Sequence, residues 1–320
     1  CLLAGACGDA LGAPVEFLSR TRILQQFGPD GITDLAVAYG RKGAVTDDTQ
    51  MTLFTAEGLV RATREGGEIV PTVHAAYLRW YATQGRPARL AVPLDGSLLA
   101  RPELHASRAP GNTCLGALAT ATALGAFARN GSKGCGGVMR VAPVGLVEAD
   151  PVRAFDLASD LCRLTHGHPS GWLAGGYLAA AVARLTEGAS LDAALDAADA
   201  ILAGRAGADE VAAAVASARA AVAEGPSADV LRRLGEGWVA EEALAIAIYC
   251  ARVHVEDLCA ALRLAVNHGG DSDSTGAITG NILGTVHGPA ALPAGWLAAL
   301  ELRPVIEELA TALASLARAG

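Results

Sequence analysis

Two short stretches of the chain place carboxylates beside hydroxyl groups, each directly before an apolar run. Residues 46–49 read TDDT, and residues 271–274 read DSDS. Adjacent aspartates repel each other, and a divalent cation removes that repulsion while using both carboxylates. Ligand sets made only of oxygen suit hard cations such as magnesium or manganese rather than zinc or copper. If the fold brings the two stretches together, their four aspartates could hold two divalent cations.

Each stretch also has a purely structural interpretation as a helix cap. The TDDT segment can cap a helix predicted to begin near Thr52, and Ser274 can cap one predicted to begin at Gly276. An EF-hand calcium loop starting at Asp271 is excluded, because its twelfth position is Ile282 where a glutamate is needed. A phosphatase nucleophile motif of the form DxDxT stays open, and it would need a hydrophobic strand before Asp271.

Composition limits the classes of function. The chain has 320 residues, 52% of them hydrophobic, and a formal net charge of −8 without a basic tail or stripe. Stable binding to nucleic acid is therefore not expected. The seven cysteines are scattered without a CxxC pair, which argues against a disulfide scaffold or a zinc ribbon and favours a cytoplasmic setting. We recognise no signal peptide and no apolar run of the ~20 residues that a membrane span needs.

The pattern of apolar residues predicts helices almost throughout. Alanine and leucine dominate, strand-like alternation is nearly absent, and aromatic residues make up 4%. We expect an all-α fold, a compact orthogonal bundle of many helices in a single domain over residues 1–320, able to work as a monomer. A long irregular stretch, residues 85–111, is predicted to border a binding cleft. Helices are predicted over residues 52–64, 113–129 (a central helix), 151–164, 171–185, 191–202, 209–223, 241–252, 255–266 and 276–286, and from 303 or 304 to 317.

Further motifs occur in a fixed order along nearly the whole chain. They are GDALGAPVEF at residues 8–17, TDDT, GNTCLGAL at 111–118, GSKGCGGVMRVAPVGL at 131–146, THGHPSGW at 165–172 and GGDSDSTGAITGNILG at 269–284. With these motifs the chain resembles the ADP-ribosylglycohydrolase family, which includes dinitrogenase reductase-activating glycohydrolase and the ADP-ribosylarginine hydrolases. The resemblance implies an all-helical fold with two magnesium or manganese ions in a cleft, in agreement with the predicted helices.

The resemblance also implies roles for the acidic residues. The GGDSDS form is more similar to the members that act on arginine linkages than to those that act on serine linkages. Glu16 matches a glutamate over the active site that serves as a gate or general base, whereas without the resemblance it reads as a surface carboxylate. Asp9 is expected to be structural. The implied metal ligands are Thr46, Asp47, Asp48, Asp271, Asp273 and Ser274, and the implied catalytic residues are Glu16, Asp47, Asp48 and Asp273.

The remaining motifs imply a substrate-binding surface. The glycine-rich loop of residues 131–137 could surround a pyrophosphate with backbone N–H groups, although it also reads as a flexible connection. His166 matches a histidine lining the same pocket, and His168 and His268 are expected to be structural. The implied substrate-binding residues are Asn112, Thr113, Gly131, Ser132, Lys133, Gly134, Gly137 and His166.

The function implied by the resemblance is hydrolysis of the bond between ADP-ribose and a protein side chain. The arginine N-glycosidic linkage is the preferred substrate, and ADP-ribose is the product. Alternatives that the motifs leave open are serine-linked ADP-ribose, small conjugates such as O-acetyl-ADP-ribose, and a non-catalytic ADP-ribose-binding protein.

Overall fold

The chain folds almost entirely into α-helices, as its alanine- and leucine-rich sequence predicts. The computed structural model describes residues 1–317, which contain sixteen α-helices and one hairpin of two-residue strands, β1 (Val37–Ala38) and β2 (Arg41–Lys42). The all-α prediction is confirmed. The helices are α1 (Leu2–Gly12), α2 (Arg20–Phe27), α3 (Asp47–Glu65), α4 (Ile69–Thr83), α5 (Asn112–Thr120), α6 (Ala142–Val147), α7 (Pro151–Arg163), α8 (Pro169–Thr186), α9 (Leu191–Leu202), α10 (Asp209–Ala221), α11 (Ala228–Leu234), α12 (Ala240–Val253), α13 (Leu258–Val266), α14 (Ser272–His287), α15 (Ala294–Ala299) and α16 (Arg303–Ala317).

Helices α1 and α14 pack against each other more closely than larger side chains would permit. A Cβ atom added at Gly8 would lie 2.0 Å from the carbonyl oxygen of Gly276, and one added at Gly280 would lie 2.1 Å from that of Ala4. Glycines at these positions let the two backbones touch. The start of α14, which carries the second acidic stretch, is therefore held against α1, which carries Asp9.

Both acidic stretches lie at helix N-termini, and both helices begin earlier than predicted. Helix α3 begins at Asp47 rather than near Thr52, because Thr46 serves as its N-cap and accepts a hydrogen bond from the backbone of Asp48. Helix α14 begins at Ser272, so Ser274 lies inside its first turn and is not its cap. The carboxylates consequently occupy the positive ends of two helix dipoles, which favour negative charge.

The predicted central helix over residues 113–129 is wrong. Helix α5 ends at Thr120, and the chain after it is irregular and largely exposed. This alanine- and glycine-rich run carries no apolar stripe that could hold a longer helix against the core. Gly125 adopts a left-handed φ of +76°, and its backbone N–H donates to Nδ1 of His74 in α4, which ties the segment down in a non-helical path.

The core is one continuous cluster of apolar side chains drawn from most of the helices. Helix α4, which the apolar pattern did not predict, buries Tyr77 and Trp80 in it. The segment before residue 271 is a turn following α13, so the strand required by the phosphatase interpretation is missing and that alternative is excluded. In the described residues, no helix is both long and apolar enough to span a membrane.

Candidate active site

The two acidic stretches meet at one cleft, which we call the acidic cleft. It has a volume of about 200 Å³, and both helix starts contribute to its wall. Asp47 and Asp48 come from α3, Asp273 and Ser274 come from α14, and Asp271 is the residue at the N-cap of α14. The four carboxylates are between 1% and 4% exposed. Residues far apart in the sequence therefore face one small space, as the hypothesis of two half-sites requires.

Glu16 reaches the same cleft from the turn that follows α1. Its side chain is only 6% exposed, so its interpretation as a surface carboxylate is wrong. One potential ligand atom from each of Glu16, Asp271 and Asp273 lies within 4.8 Å of the other two. Glu16 is thus a candidate metal ligand as well as a candidate base, a role that the sequence motifs did not assign to it.

The carboxylates of the acidic cleft raise one another's pKa values by charge repulsion. Burial, followed by the carboxylates of Asp273 and Asp271, raises the pKa of Glu16 to about 11. Burial and then the charge of Asp273 hold the pKa values of Asp47, Asp48 and Asp271 well above the usual range for aspartate. Without a cation, the cleft would have to take up protons to relieve this repulsion.

The chemistry of the donor set fits divalent cations. Two buried carboxylate oxygens, Oε2 of Glu16 and Oδ1 of Asp48, have no hydrogen-bond partner among residues 1–317. Buried polar atoms are normally hydrogen-bonded, so unpartnered carboxylate oxygens facing a cleft fit a role as cation ligands. Carboxylate and hydroxyl oxygens are the donors that magnesium and manganese prefer.

Asp9 fixes the first turn of α3. Its carboxylate is fully buried and accepts hydrogen bonds from the backbone N–H groups of Thr46, at 3.0 Å, and Thr49, at 3.1 Å. The hydroxyl groups of both threonines donate to the same carboxylate. This contact agrees with the structural role expected for Asp9. Thr46 is fully buried and directly precedes the cleft residues Asp47 and Asp48.

A second buried network holds the segment leading into α3, and no sequence motif signalled it. Glu301 accepts a hydrogen bond from the backbone N–H of Val45 at 3.1 Å and pairs with the guanidinium of Arg108. Arg108 in turn donates to the carbonyl of Val45 at 2.9 Å, and its own carbonyl accepts from the backbone N–H of Asp47 at 3.2 Å. Both sides of residues 45–47 are thereby fixed.

Cys135 is a second residue that sequence reasoning missed. Its Sγ atom lies 2.7 Å from Oδ2 of Asp271, and the hydroxyl of Ser274 lies 3.6 Å from the same sulfur. The thiol thus donates to one candidate metal ligand and contacts another. Its position inside the motif GSKGCGG was the available signal.

Comparison with known proteins decides the family. The sequence model described as ADP-ribosylglycohydrolase matches residues 1–320. The chain belongs to the ADP-ribosylglycohydrolase family. It is therefore an enzyme, a hydrolase that acts on glycosidic linkages of ADP-ribose.

Individual relatives cover almost the same length. An uncharacterized protein of Archaeoglobus fulgidus is 31% identical, over 98% of this chain and 94% of its own. The ADP-ribosyl-dinitrogen reductase glycohydrolase of Rhodospirillum rubrum is 26% identical, over 93% of this chain and 88% of its own. A solved ADP-ribosylglycohydrolase-related protein complex superposes with a TM-score of 0.74 at 28% identity, covering 99% of this chain and 96% of that one.

The glycine-rich loop of this ADP-ribosylglycohydrolase is only partly at the acidic cleft. Gly134 lines the cleft, whereas Gly137 packs against α8, where an added Cβ would lie 2.8 Å from the carbonyl of Gly171. Gly131 faces open space. Lys133 donates to Glu210 at 2.9 Å and pairs with Glu241. The charge of Lys133 is thus already partnered, and its contact with phosphate stays a prediction.

A larger groove adjoins the acidic cleft. Asn112 and Thr113 line both spaces, and the groove has a volume of about 990 Å³. Ser132 lines the groove, and its hydroxyl lies 2.8 Å from that of Thr113. The structure therefore brings together three of the predicted substrate-binding residues at the border between the two spaces. The end of the long irregular stretch, at Ala109 and Gly111, borders the cleft as expected.

The remaining histidines and an aromatic pair complete the surroundings. His166 lines the acidic cleft, and its contact with the substrate stays a prediction. His168 caps α8 by accepting from Ser170, and His268 contacts Thr275 at 2.9 Å, so both have the structural contacts expected of them. Trp238 also lines the cleft and stacks on the exposed ring of Phe17, with ring centroids 5.9 Å apart. No sequence signal indicated this pair.

Proposed function

We propose that this enzyme removes mono-ADP-ribose from protein side chains, with the arginine N-glycosidic linkage as its substrate and with two divalent cations, magnesium or manganese, as cofactors. The observation that carries the proposal is the set of five buried carboxylates facing one cleft, two of them with unpartnered oxygens. The named relative from Rhodospirillum rubrum acts, by its name, on an ADP-ribosylated protein, which supports a protein substrate.

Charge balance supports two cations. Asp47, Asp48, Asp271 and Asp273 together carry four negative charges when ionised, and Thr46 and Ser274 add hydroxyl oxygens at the two helix starts. Two divalent cations compensate all but one of the five cleft carboxylates, Glu16 included, whereas a single cation would leave three uncompensated in a buried cleft. When bound, the cations would supply positive charge that orients the ribose hydroxyl groups and neutralises the carboxylates.

The protein's own residues account for the rest of the chemistry. Glycosidic cleavage at C1 of the ribose proceeds through an oxocarbenium-like state, whose positive charge the cleft carboxylates stabilise. The positive charge of bound cations would lower the pKa of Glu16, which burial and the neighbouring carboxylates raise, so that its unpartnered Oε2 atom accepts the proton of the attacking water. The cleft holds only about 200 Å³, so the rest of ADP-ribose would extend past Asn112 and Thr113 into the adjoining groove.

The linkage is assigned to arginine on the GGDSDS motif, whereas the name of the Rhodospirillum rubrum relative supports only the protein substrate. The test is release of ADP-ribose from an arginine-ADP-ribosylated protein, with magnesium, with manganese and with chelator, beside a serine-linked substrate and O-acetyl-ADP-ribose. Metal-dependent release from the arginine substrate alone supports the proposal. Release from only the serine-linked or the acetylated substrate would show that the arginine assignment is wrong. ADP-ribose binding without any hydrolysis would show that the protein binds ADP-ribose but does not cleave its conjugates.

Matched variants connect the activity to the cleft. Asp47→Ala and Asp273→Ala should lower turnover at least about a hundredfold, because each removes a charged group aimed at the reacting atoms. Asp30→Ala, which changes an exposed aspartate in a turn, is the control and should keep full activity. A fully active variant lacking both Asp47 and Asp273 would rule the proposal out.

A further inference from the structure

Arg140, within the motif VMRVAPVG, is a fully buried cation without a counter-ion. Its side chain is 0% exposed, and no carboxylate pairs with it among residues 1–317. The guanidinium lies over the ring of Tyr77, 4.3 Å from its centroid, and Nη1 lies 3.2 Å from Sγ of Cys114. Burying a charge in this way is costly, which indicates that its hydrogen bonds have a specific use.

The hydrogen bonds of Arg140 lead to His166 through one hydroxyl group. Nη2 of Arg140 lies 2.7 Å from Oγ1 of Thr165, and that oxygen lies 2.8 Å from Nδ1 of His166. A guanidinium can only donate, so the hydroxyl of Thr165 accepts from Arg140 and has one proton left to give. The carbonyl of Cys162 lies farther away, at 3.4 Å, and the sulfur of Cys114 is a weak acceptor, so the short contact favours Nδ1 of His166 as the acceptor of this proton.

The opposite side of the imidazole faces the acidic cleft. A Cβ atom added at Gly134 or at Gly136 would lie 3.5 Å from Nε2 of His166, and both glycines line the cleft with it. Because Nδ1 accepts a hydrogen bond, the proton of a neutral ring must be on Nε2. Burial, and then the charge of Arg140, lowers the pKa of His166 to about 3, so the ring is neutral near neutral pH.

We propose that Arg140 and Thr165 are positioning residues that lock His166 as a neutral donor, with its N–H at Nε2 pointed at an oxygen acceptor of the substrate. The identity of that acceptor, a pyrophosphate oxygen of ADP-ribose, rests on the function proposed above. A ring fixed in this way has no free lone pair on the cleft side. His166 therefore cannot serve as the general base, which leaves that role to Glu16.

The tautomer can be measured without any substrate. Two-bond proton–nitrogen correlation spectra of the intact, magnesium-loaded protein distinguish a ring protonated on Nε2 from one protonated on Nδ1 or on both nitrogens, and His166→Gln identifies the signals. The proposal predicts protonation on Nε2 alone near neutral pH. Protonation on Nδ1, or a charged ring, would overturn it.

The positioning role is tested by a pair of variants at Thr165. Thr165→Val removes the hydroxyl, so Nδ1 loses its donor and the two tautomers should mix, with ADP-ribose binding weakened about tenfold in calorimetry. Thr165→Ser keeps the hydroxyl and should keep both the tautomer and the affinity within about twofold. Equal losses in both variants, or an unchanged tautomer in Thr165→Val, would show that the hydroxyl does not set the ring.

The result separates this inference from the proposed function. If ADP-ribose fails to bind the wild-type protein while the ring is protonated on Nε2, the proposed substrate is wrong and the locked tautomer stands. If ADP-ribose binds while the ring is protonated on Nδ1, the inference is wrong and the proposed substrate stands.

Discussion

The carboxylate of Asp9 lies 3.0 Å from the backbone nitrogen of Thr46, at the residue where α3 is capped. The contact joins α1 to the first turn of α3, and α1 is itself packed glycine to glycine against α14. The two helix starts that carry the cleft aspartates are thus held through one intermediate helix. The geometry of the acidic cleft depends on Asp9 although this residue does not line the cleft.

Asp9→Asn should destabilise the protein by about 2–3 kcal/mol, because an amide nitrogen would face donor groups that the buried carboxylate now satisfies. Urea unfolding measures the free energy, and calorimetric titration with manganese measures the effect on the cleft, where weaker binding is expected. Asp30→Asn is the control for loss of a negative charge. Unchanged stability together with unchanged manganese affinity would contradict the structural role of Asp9.

Glu301→Ala should cost about 3–5 kcal/mol, because it leaves the buried guanidinium of Arg108 without its partner. The backbone N–H of Val45 would lose its acceptor as well. Thermal or urea unfolding checks the size of the loss. Since neither Arg108 nor Glu301 lines the acidic cleft, the folded variant should retain a measurable fraction of activity. An effect on turnover without an effect on stability would argue against this account.

Stability should fall as pH rises when cations are removed. The folded pKa of Glu16 is raised to about 11 from 4.5 and that of Asp9 to about 7 from 3.8, so above about pH 4.5 the folded state binds more protons than the unfolded state. The free energy of unfolding then decreases with pH, because the slope follows protons bound in the unfolded state minus those bound in the folded state.

Urea unfolding in chelator at about pH 5 and about pH 9 should reveal that decrease, and magnesium should reduce or reverse it by binding the ionised carboxylates. Glu16→Gln removes one raised group and should make the slope in chelator shallower. A free energy of unfolding that rises with pH in chelator would show that the carboxylates are not in mutual repulsion.

Asp273→Asn should stabilise the cation-free protein by roughly 0.5–2 kcal/mol above neutral pH, because it removes the charge that most strongly perturbs its neighbours. The same variant should lose the additional stability that magnesium gives the wild-type protein. Thermal unfolding with and without magnesium measures both effects. A variant less stable than wild type in chelator would mean that Asp273 has a structural rather than a functional role.

Replacement of Cys135 should weaken manganese binding only when the new side chain cannot donate a hydrogen bond to Asp271. The thiol donates to Asp271, so Cys135→Ala should weaken manganese binding about 10-fold, as expected for removal of a group that orients a ligand. Cys135→Ser keeps a donor and should bind within a few-fold of wild type. Cys259→Ala, at a half-buried cysteine elsewhere, is the control and should leave manganese binding unchanged.

The parts of the fold that the sequence predicted are those with local signals. Helix α9 (Leu191–Leu202) has its predicted bounds because Ser190 caps it and apolar residues recur at helical spacing. The helix predicted over residues 113–129 is too long, because alanine and leucine favour a helix locally, whereas Gly125 has a left-handed φ and its contact with His74 is distant in sequence.

In the candidate site, too, residues with a local sequence signal were predicted, and residues placed by tertiary packing were not. The sequence singles out four aspartates, because carboxylates so close together repel each other unless a cation binds between them. They are Asp47, Asp48, Asp271 and Asp273. The pair of Arg108 and Glu301 and the position of Trp238 depend on tertiary packing, and nothing in their neighbouring residues signals them. Glu16 was found through its motif, but its closeness to Asp273 required the fold.

The most direct test of the account is titration of the cation-free protein with manganese. Calorimetry measures the heat of binding, and electron spin resonance measures the concentration of free manganese. We predict that the wild-type protein binds about two manganese ions per chain, and that Asp47→Asn combined with Asp273→Asn abolishes this binding while the helical circular-dichroism spectrum is retained. Unchanged binding by the double variant, or no binding by the folded wild-type protein, would contradict the claim that the two acidic helix starts form one cation site.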